Sequence, residues 1–163
     1  MADSACSRLG VPERLHRERR EPNRTFDEDE ELYHRFPGHL DDENLKEAIS
    51  FEPGESYNRS KYCQSPADVL VDCEKGEHFK GWGVIAFPVR DLIEPSWVCD
   101  DDKSNAYSYQ AEHKPTRCNY AHAELLIFLN GQPATGVRKA VRRKVRKAIV
   151  DASRKLRGLP IPS

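Results

Sequence analysis

No stretch of this 163-residue sequence strings together the roughly 18 apolar residues that a membrane-spanning helix requires, so a helical membrane protein is excluded. The phosphate-cradling loop G-x-x-x-x-G-K-S/T is absent, which argues against a nucleoside triphosphatase. Cysteine is sparse and irregular: Cys6, Cys63, Cys73, Cys99 and Cys118 are an odd set without a C-x-x-C pair. With no apolar leader in MADSACSRLG, reduced thiols in a soluble cytoplasmic protein are expected. Hydrophobic residues are only 37% of the chain and charged residues 33%, which implies a modest core with polar appendages.

What is present is charge, and it is divided. The formal net charge is -1, from 26 Lys/Arg and 27 Asp/Glu. Residues 138–157 hold ten of the basic residues and one acid, Asp151, leaving 16 basic against 26 acidic residues elsewhere. Val137, Val141, Val145, Ile149, Ala152 and Leu156 recur at spacings of three and four. Residues 137–157 therefore read as one long amphipathic helix, capped by Thr135 and ended by Gly158 and Pro160. Arg138, Lys139, Arg142, Arg143, Arg146 and Lys147 crowd its polar side. Concentrated like charge costs self-repulsion that a polyanion relieves, so nucleic acid is the leading expected partner. An acidic protein surface, the acidic remainder of the same chain or an anionic membrane would answer to the same chemistry.

Residues 1–30 carry RLHRERREPNR and DEDE with scattered apolar positions, too few to offset the entropy of ordering, and a disordered N-terminal arm is expected. Residues 31–158 read as a single domain and 159–163 as a tail. ELYHRF, Glu31 to Phe36, alternates as a strand, and DDENLKEAISF suggests a short helix with Leu45 and Ile49 on one side. ESYNRSKY reads as a strand, and SPADVLVD as a helix with Ser65 at the N-cap and Pro66 first. GWGVIAFPV is β-branched and aromatic, and its glycines admit something close to the backbone. Residues 100–119 form a long polar connection, and AHAELLIFL a buried strand closed by Asn130-Gly131. This order implies an α+β fold: a small mixed or antiparallel sheet covered by helices, with the long basic helix last.

Residues two apart in a strand point to one side, so His122 and Glu124 project together, away from Ala121, Ala123, Leu125 and Ile127. An imidazole beside a carboxylate is an acid–base unit or a pair of metal ligands. Cys99, His113, Cys118 and His122 run as C-x13-H-x4-C-x3-H, four potential zinc ligands on and beside the polar connection. The H-A-E triplet lacks the P-C-x-x-C that accompanies it in zinc deaminases, which excludes that chemistry. Cys63 and Cys73 have no evident base partner and are not expected to act as nucleophiles.

ELYHRF with Arg35, SYNRS with Ser56 and Ser60, and AHAELLIF with Glu124 follow in an order that resembles the Arg–Ser–Glu arrangement of ADP-ribosyltransferases. The resemblance implies NAD, with Arg35 on its pyrophosphate, Ser60 ordering the nicotinamide pocket, and Glu124 holding the ribose hydroxyl and stabilising the oxocarbenium ion. His122 stands where that family has Gln or Glu. The string Leu32 to Leu129, with YNRSKY, PADVL, GWGVIAF and NYAHAEL in order, also resembles an uncharacterised group of small bacterial proteins, from which no activity carries over. The leading expectation is a small binding or accessory protein acting through its basic helix. The alternative is an enzyme centred on His122 and Glu124, either ADP-ribosyl-transferring or a metal-dependent hydrolase.

Overall fold

The computed structural model describes residues 4–49, 55–90, 97–99 and 102–162. Among these residues eight antiparallel strands form one sheet: β1 (Glu31–Phe36), β2 (Ser56–Arg59), β3 (Gly83–Pro88), β4 (Trp97–Cys99), β5 (Asp102–His113), β6 (His122–Leu129), β7 (Gln132–Pro133) and β8 (Arg154–Leu156). Across the sheet they run β4-β5-β6-β2-β1-β3-β8, and β7 pairs with β6. Two α-helices occur among the described residues, α1 (Ser4–Arg8) and α2 (Lys139–Ala152). No helix among the described residues is long and apolar enough to cross a membrane.

The two sheet faces differ. One buries Leu32, Phe36, Tyr57, Ile85, Phe87, Tyr109, Leu125 and Ile127 against Val141, Val145 and Ile149 of α2, and this is the main core. A Cβ on Gly83 would lie 2.2 Å from the Phe36 ring, so the glycine is what lets that ring lie on β3. The other face is covered at Tyr33, Val84 and Ala86 by the 3-10 turn Pro66–Leu70, which starts from Ser65 as its N-cap.

The expected α+β fold with a long terminal helix is overturned: the molecule is mostly antiparallel sheet, and its basic helix is 14 residues long. Ser153 turns extended (φ -89, ψ 150), donating its hydroxyl to Ile149 O at 2.5 Å and its N–H to Val150 O at 3.2 Å. The next residues pair with β3, as Ala86↔Arg154, Ile85↔Lys155 and Val84↔Leu156. Satisfying the open backbone edge of a buried strand outweighs extending a helix by one turn. It also redirects charge. Arg154 binds Glu31 through two bonds of 2.6 and 3.0 Å, and Arg157 donates to Leu40 O and Asp42, so these two cations are neutralised within the molecule.

Three other segments depart from expectation. Most of the polar connection is β5, in which buried Tyr107, Tyr109 and His113 alternate with Ser108, Gln110 and Glu112. That is period two with little apolar content, and its pairing with β6 over seven residues supplies the hydrogen bonds. The expected helix after β1 is a 3-10 turn, Leu45–Ala48, and Ser50 and Phe51 lie outside the described residues. The arm expected to be disordered is packed instead. Cys6, Val11 and Leu15 are buried with Ala121, and Cys6 is disulfide-bonded to Cys118, so the expectation of five reduced thiols fails there. The rest is held by polar bonds in place of apolar area. Fully buried Arg59 grips both Glu30 oxygens, at 2.9 and 2.5 Å, donates to Asn23 O and Thr25 O, and lies 3.8 Å over the Phe26 ring.

Candidate functional site

β2 lies between β1 and β6, in a register that pairs Ser56↔Glu124 and Asn58↔His122. Alternation sends Tyr57 and Arg59 to the helix-covered side and leaves Ser56, Asn58, His122 and Glu124 together on the other. Ser56 is exposed and His122 half-buried. The Ser56 hydroxyl lies 3.1 Å from His122 Nε2, and His122 Nδ1 lies 2.7 Å from the carbonyl oxygen of Lys114. A carbonyl only accepts. In the neutral ring Nδ1 therefore carries the proton, and Nε2 is left to accept from the serine hydroxyl. An exposed hydroxyl beside an oriented imidazole acceptor is the minimal apparatus for nucleophilic attack. Comparison of the chain with protein-family models, characterised proteins and solved structures finds no match.

The pair opens into a cavity of about 220 Å³. Its walls are His34 and Arg35 from β1, Ser56 to Asn58 from β2, Val69 in the 3-10 turn and Val71 to Glu74 after it, and Thr116, Asn119 and His122 around the β5–β6 turn. Arg35 is held in place by donation to Val69 O at 3.1 Å and by stacking 4.0 Å over the Phe79 ring. Burial holds its guanidinium below the ordinary pKa, with Asp72 acting in the opposite sense. Their ion pair is loose, 3.9 Å from Nη2 to Asp72 Oδ2, while Asp72 Oδ1 accepts from the N–H groups of Glu74 and Lys75. His34 faces Ser56 O at 3.1 Å and Ala48 O at 3.2 Å, and so braces the start of β2.

Some polar atoms of these lining residues are buried. Asn119 Nδ2 donates to Asn58 Oδ1 at 2.8 Å, while Asn58 Nδ2, Asn119 Oδ1 and Thr116 Oγ1 are buried with no hydrogen-bond partner among the described residues. The Asn58 amide has the Cys63 sulfur close to it, a weak acceptor that does not complete a bond. Left without a partner, each such group costs about 1–3 kcal/mol.

Of the expected enzyme residues, His122 and Arg35 reach this cavity and the others do not. Glu124 is on the same face but is taken by Lys114 Nζ at 3.0 Å, and that contact raises the Lys114 pKa. Ser60 sits past the far end of β2, where its hydroxyl accepts from Glu31 N at 2.9 Å. The Arg35–Ser60–Glu124 constellation is therefore not assembled, and the serine beside the base is Ser56. Asn58, Thr116 and Asn119 were not expected as site residues, and Ser56 was named beside Ser60 in the SYNRS resemblance, with the role given to Ser60.

The expected zinc set is also dispersed. Cys118 is in the disulfide, and His113 uses both nitrogens, accepting from Asn23 N at 2.8 Å and reaching Tyr120 O at 2.5 Å. His122 is engaged as above, and the side chain of Cys99 lies outside what is described. No group of three His, Cys, Asp or Glu could hold a metal among the described residues. Burial raises the Cys63 thiol and pushes Cys73 up to about 12, which leaves both unreactive at neutral pH.

The basic helix places its cations on two levels. Lys139, Arg143 and Lys147 are exposed, as is Arg138 just before α2, while Arg142 and Arg146 are half-buried. Lys139, Arg142, Arg143 and Arg146 line a groove of about 190 Å³ with Lys46 and Glu47. Lys147 is paired within the helix to Asp151 at 2.7 Å.

Proposed function

We propose that this chain is a hydrolase or acyltransferase in which Ser56 is the nucleophile and His122 its general base. The observation that carries the reading is the 3.1 Å contact between Ser56 Oγ and a His122 ring whose other nitrogen is anchored on Lys114 O. Ser56 attacks an acyl carbon as its proton passes to Nε2. The imidazolium then returns that proton to the leaving group, and water releases the acyl group by the reverse sequence. Lys114 O does what a carboxylate does in a triad: it fixes the tautomer and the ring plane.

An alkyl fluorophosphonate tests this without knowledge of the substrate. The full-length protein should be phosphonylated on Ser56 with loss of fluoride, detected by peptide mass spectrometry. His122→Ala should slow labelling by at least about 10³-fold. A protein left unlabelled at Ser56, or labelled equally fast without His122, rules the reading out.

A second reading rests on α2, where Lys139, Arg143 and Lys147 are exposed on the side away from Val141, Val145 and Ile149. There the helix engages nucleic acid or another polyanion, with phosphate contacts that position without reading sequence. Reversing Lys139, Arg143 and Lys147 to Glu should weaken binding to duplex DNA, measured by fluorescence anisotropy between 50 and 200 mM salt. The salt slope should flatten by about three. Unchanged affinity and slope would remove this reading.

A further inference from the structure

We infer that the cavity beside Ser56 selects acyl groups carrying a carboxylate, held by Arg35, so that the substrates are short dicarboxylic acids linked through one end as an amide or ester. The inference rests on the reading of Ser56 as nucleophile. Arg35 of β1 and Ser56 of the neighbouring strand β2 line the same cavity, on the face opposite α2. The guanidinium is immobilised by Val69 O and Phe79, partly desolvated, and still 30% exposed within the cavity. Among the described residues one of its five N–H donors is spent on a protein hydrogen bond, which leaves a planar donor edge suited to a carboxylate. The Asp72 carboxylate is its nearest recorded counter-charge, through Oδ2 at 3.9 Å, an ion pair beyond hydrogen-bond length. The cavity, at about 220 Å³, is smaller than those that enclose drug-sized ligands, so it takes the acyl end of the substrate and leaves the amine or alcohol outside.

With an anilide, Ser56 Oγ bonds to the acyl carbon and its proton moves to His122 Nε2. The C–N bond then breaks, the aniline departs with that proton, and water hydrolyses the Ser56 ester to give the free dicarboxylic acid. The full-length protein should be assayed with three 4-nitroanilides of similar acyl length: glutaryl, pentanoyl and 4-(trimethylammonio)butanoyl. The glutaryl compound should show kcat/KM at least about tenfold above the other two. Arg35→Met should erase that preference and Arg35→Lys should restore part of it. Fluorophosphonate labelling of Ser56 in each variant checks that the site is still formed, and the wild-type comparison stands alone if a variant fails to fold. Equal or faster turnover of the pentanoyl or cationic compound overturns the proposal, as does absence of 4-nitroaniline from all three. If Ser56 is labelled in that case, the nucleophile survives and the substrate class is wrong; without labelling both fall.

Discussion

Replacing Cys6 and Cys118 with alanine is expected to lower the free energy of unfolding by roughly 4–5 kcal/mol, the loop-entropy value for a link of this span. The two sulfurs join residues 112 apart in sequence, so the bond removes a large share of the unfolded chain's freedom. Cys6 is fully buried, with Val11, Leu15 and Ala121 around it, and alanine adds no buried polar group there. Urea unfolding should show a lower midpoint for the double variant. Wild-type protein in dithiothreitol should match it, while the reductant should leave the variant unchanged. Cys63 and Cys73 will not confuse the comparison, because their buried thiols ionise far above neutral pH and exchange slowly. Equal midpoints for oxidised, reduced and substituted protein would show that the arm is held by its other contacts. Those contacts are specific: Tyr120 N donates to Leu15 O at 2.6 Å, Arg17 Nη1 to Pro115 O at 3.1 Å, and the Tyr120 hydroxyl to Glu21 O at 2.8 Å.

The sequence was legible where apolar residues alternate or recur. ELYHRF, GVIAFP and HAELLIFL are the strands β1, β3 and β6, and the Val141–Val145–Ile149 stripe faces the core. It was opaque where polar groups do the ordering. Residues 1–30 have no periodicity, yet their described part is fixed by Arg59, by Arg14 on Asp68 and by the disulfide, none of which has a local signature. β5 hid its period of two under Ser, Gln and Glu. α2 ended five residues early because an open edge on β3, some 70 positions back, captured residues 154–156.

The site divides in the same way. The shared face of His122 and Glu124 follows from parity alone, whereas the partner of His122 is Ser56, 66 positions away, reached only through the β2–β6 register. The zinc reading failed for a parallel reason: Cys118 is closed off by Cys6, across a span that spacing arguments do not see. Ser60 and Ser56 are four residues apart in SYNRS, and only the geometry of β2 separates a hydroxyl that caps Glu31 N from one that faces a base.

Arg59→Met should destabilise the fold by roughly 3–5 kcal/mol, because it strands the Glu30 carboxylate in an interior where it is 3% exposed. Two carbonyls, Asn23 O and Thr25 O, would lose their donor in the same step. Glu30→Leu alone should cost a comparable amount, by leaving the fully buried guanidinium without its counter-charge. The double variant Arg59→Met/Glu30→Leu is expected to recover part of the loss. An apolar pair relieves the buried charges, but the two orphaned carbonyls remain, at about 1–3 kcal/mol each. A double-mutant cycle from urea titrations measures the coupling, and additive losses would contradict a desolvated ion pair. The location of the damage is a separate test. Arg59 ties residues 23–30 to the end of β2, so amide exchange in Arg59→Met should accelerate most there, while β5, paired with β6 over seven residues, stays protected. Ser56 lies at the other end of β2, with its carbonyl braced by His34 and its flank by β6. Loosening the arm should accordingly leave the Ser56–His122 contact standing, and a partly destabilised Arg59→Met protein should still react with a fluorophosphonate at Ser56.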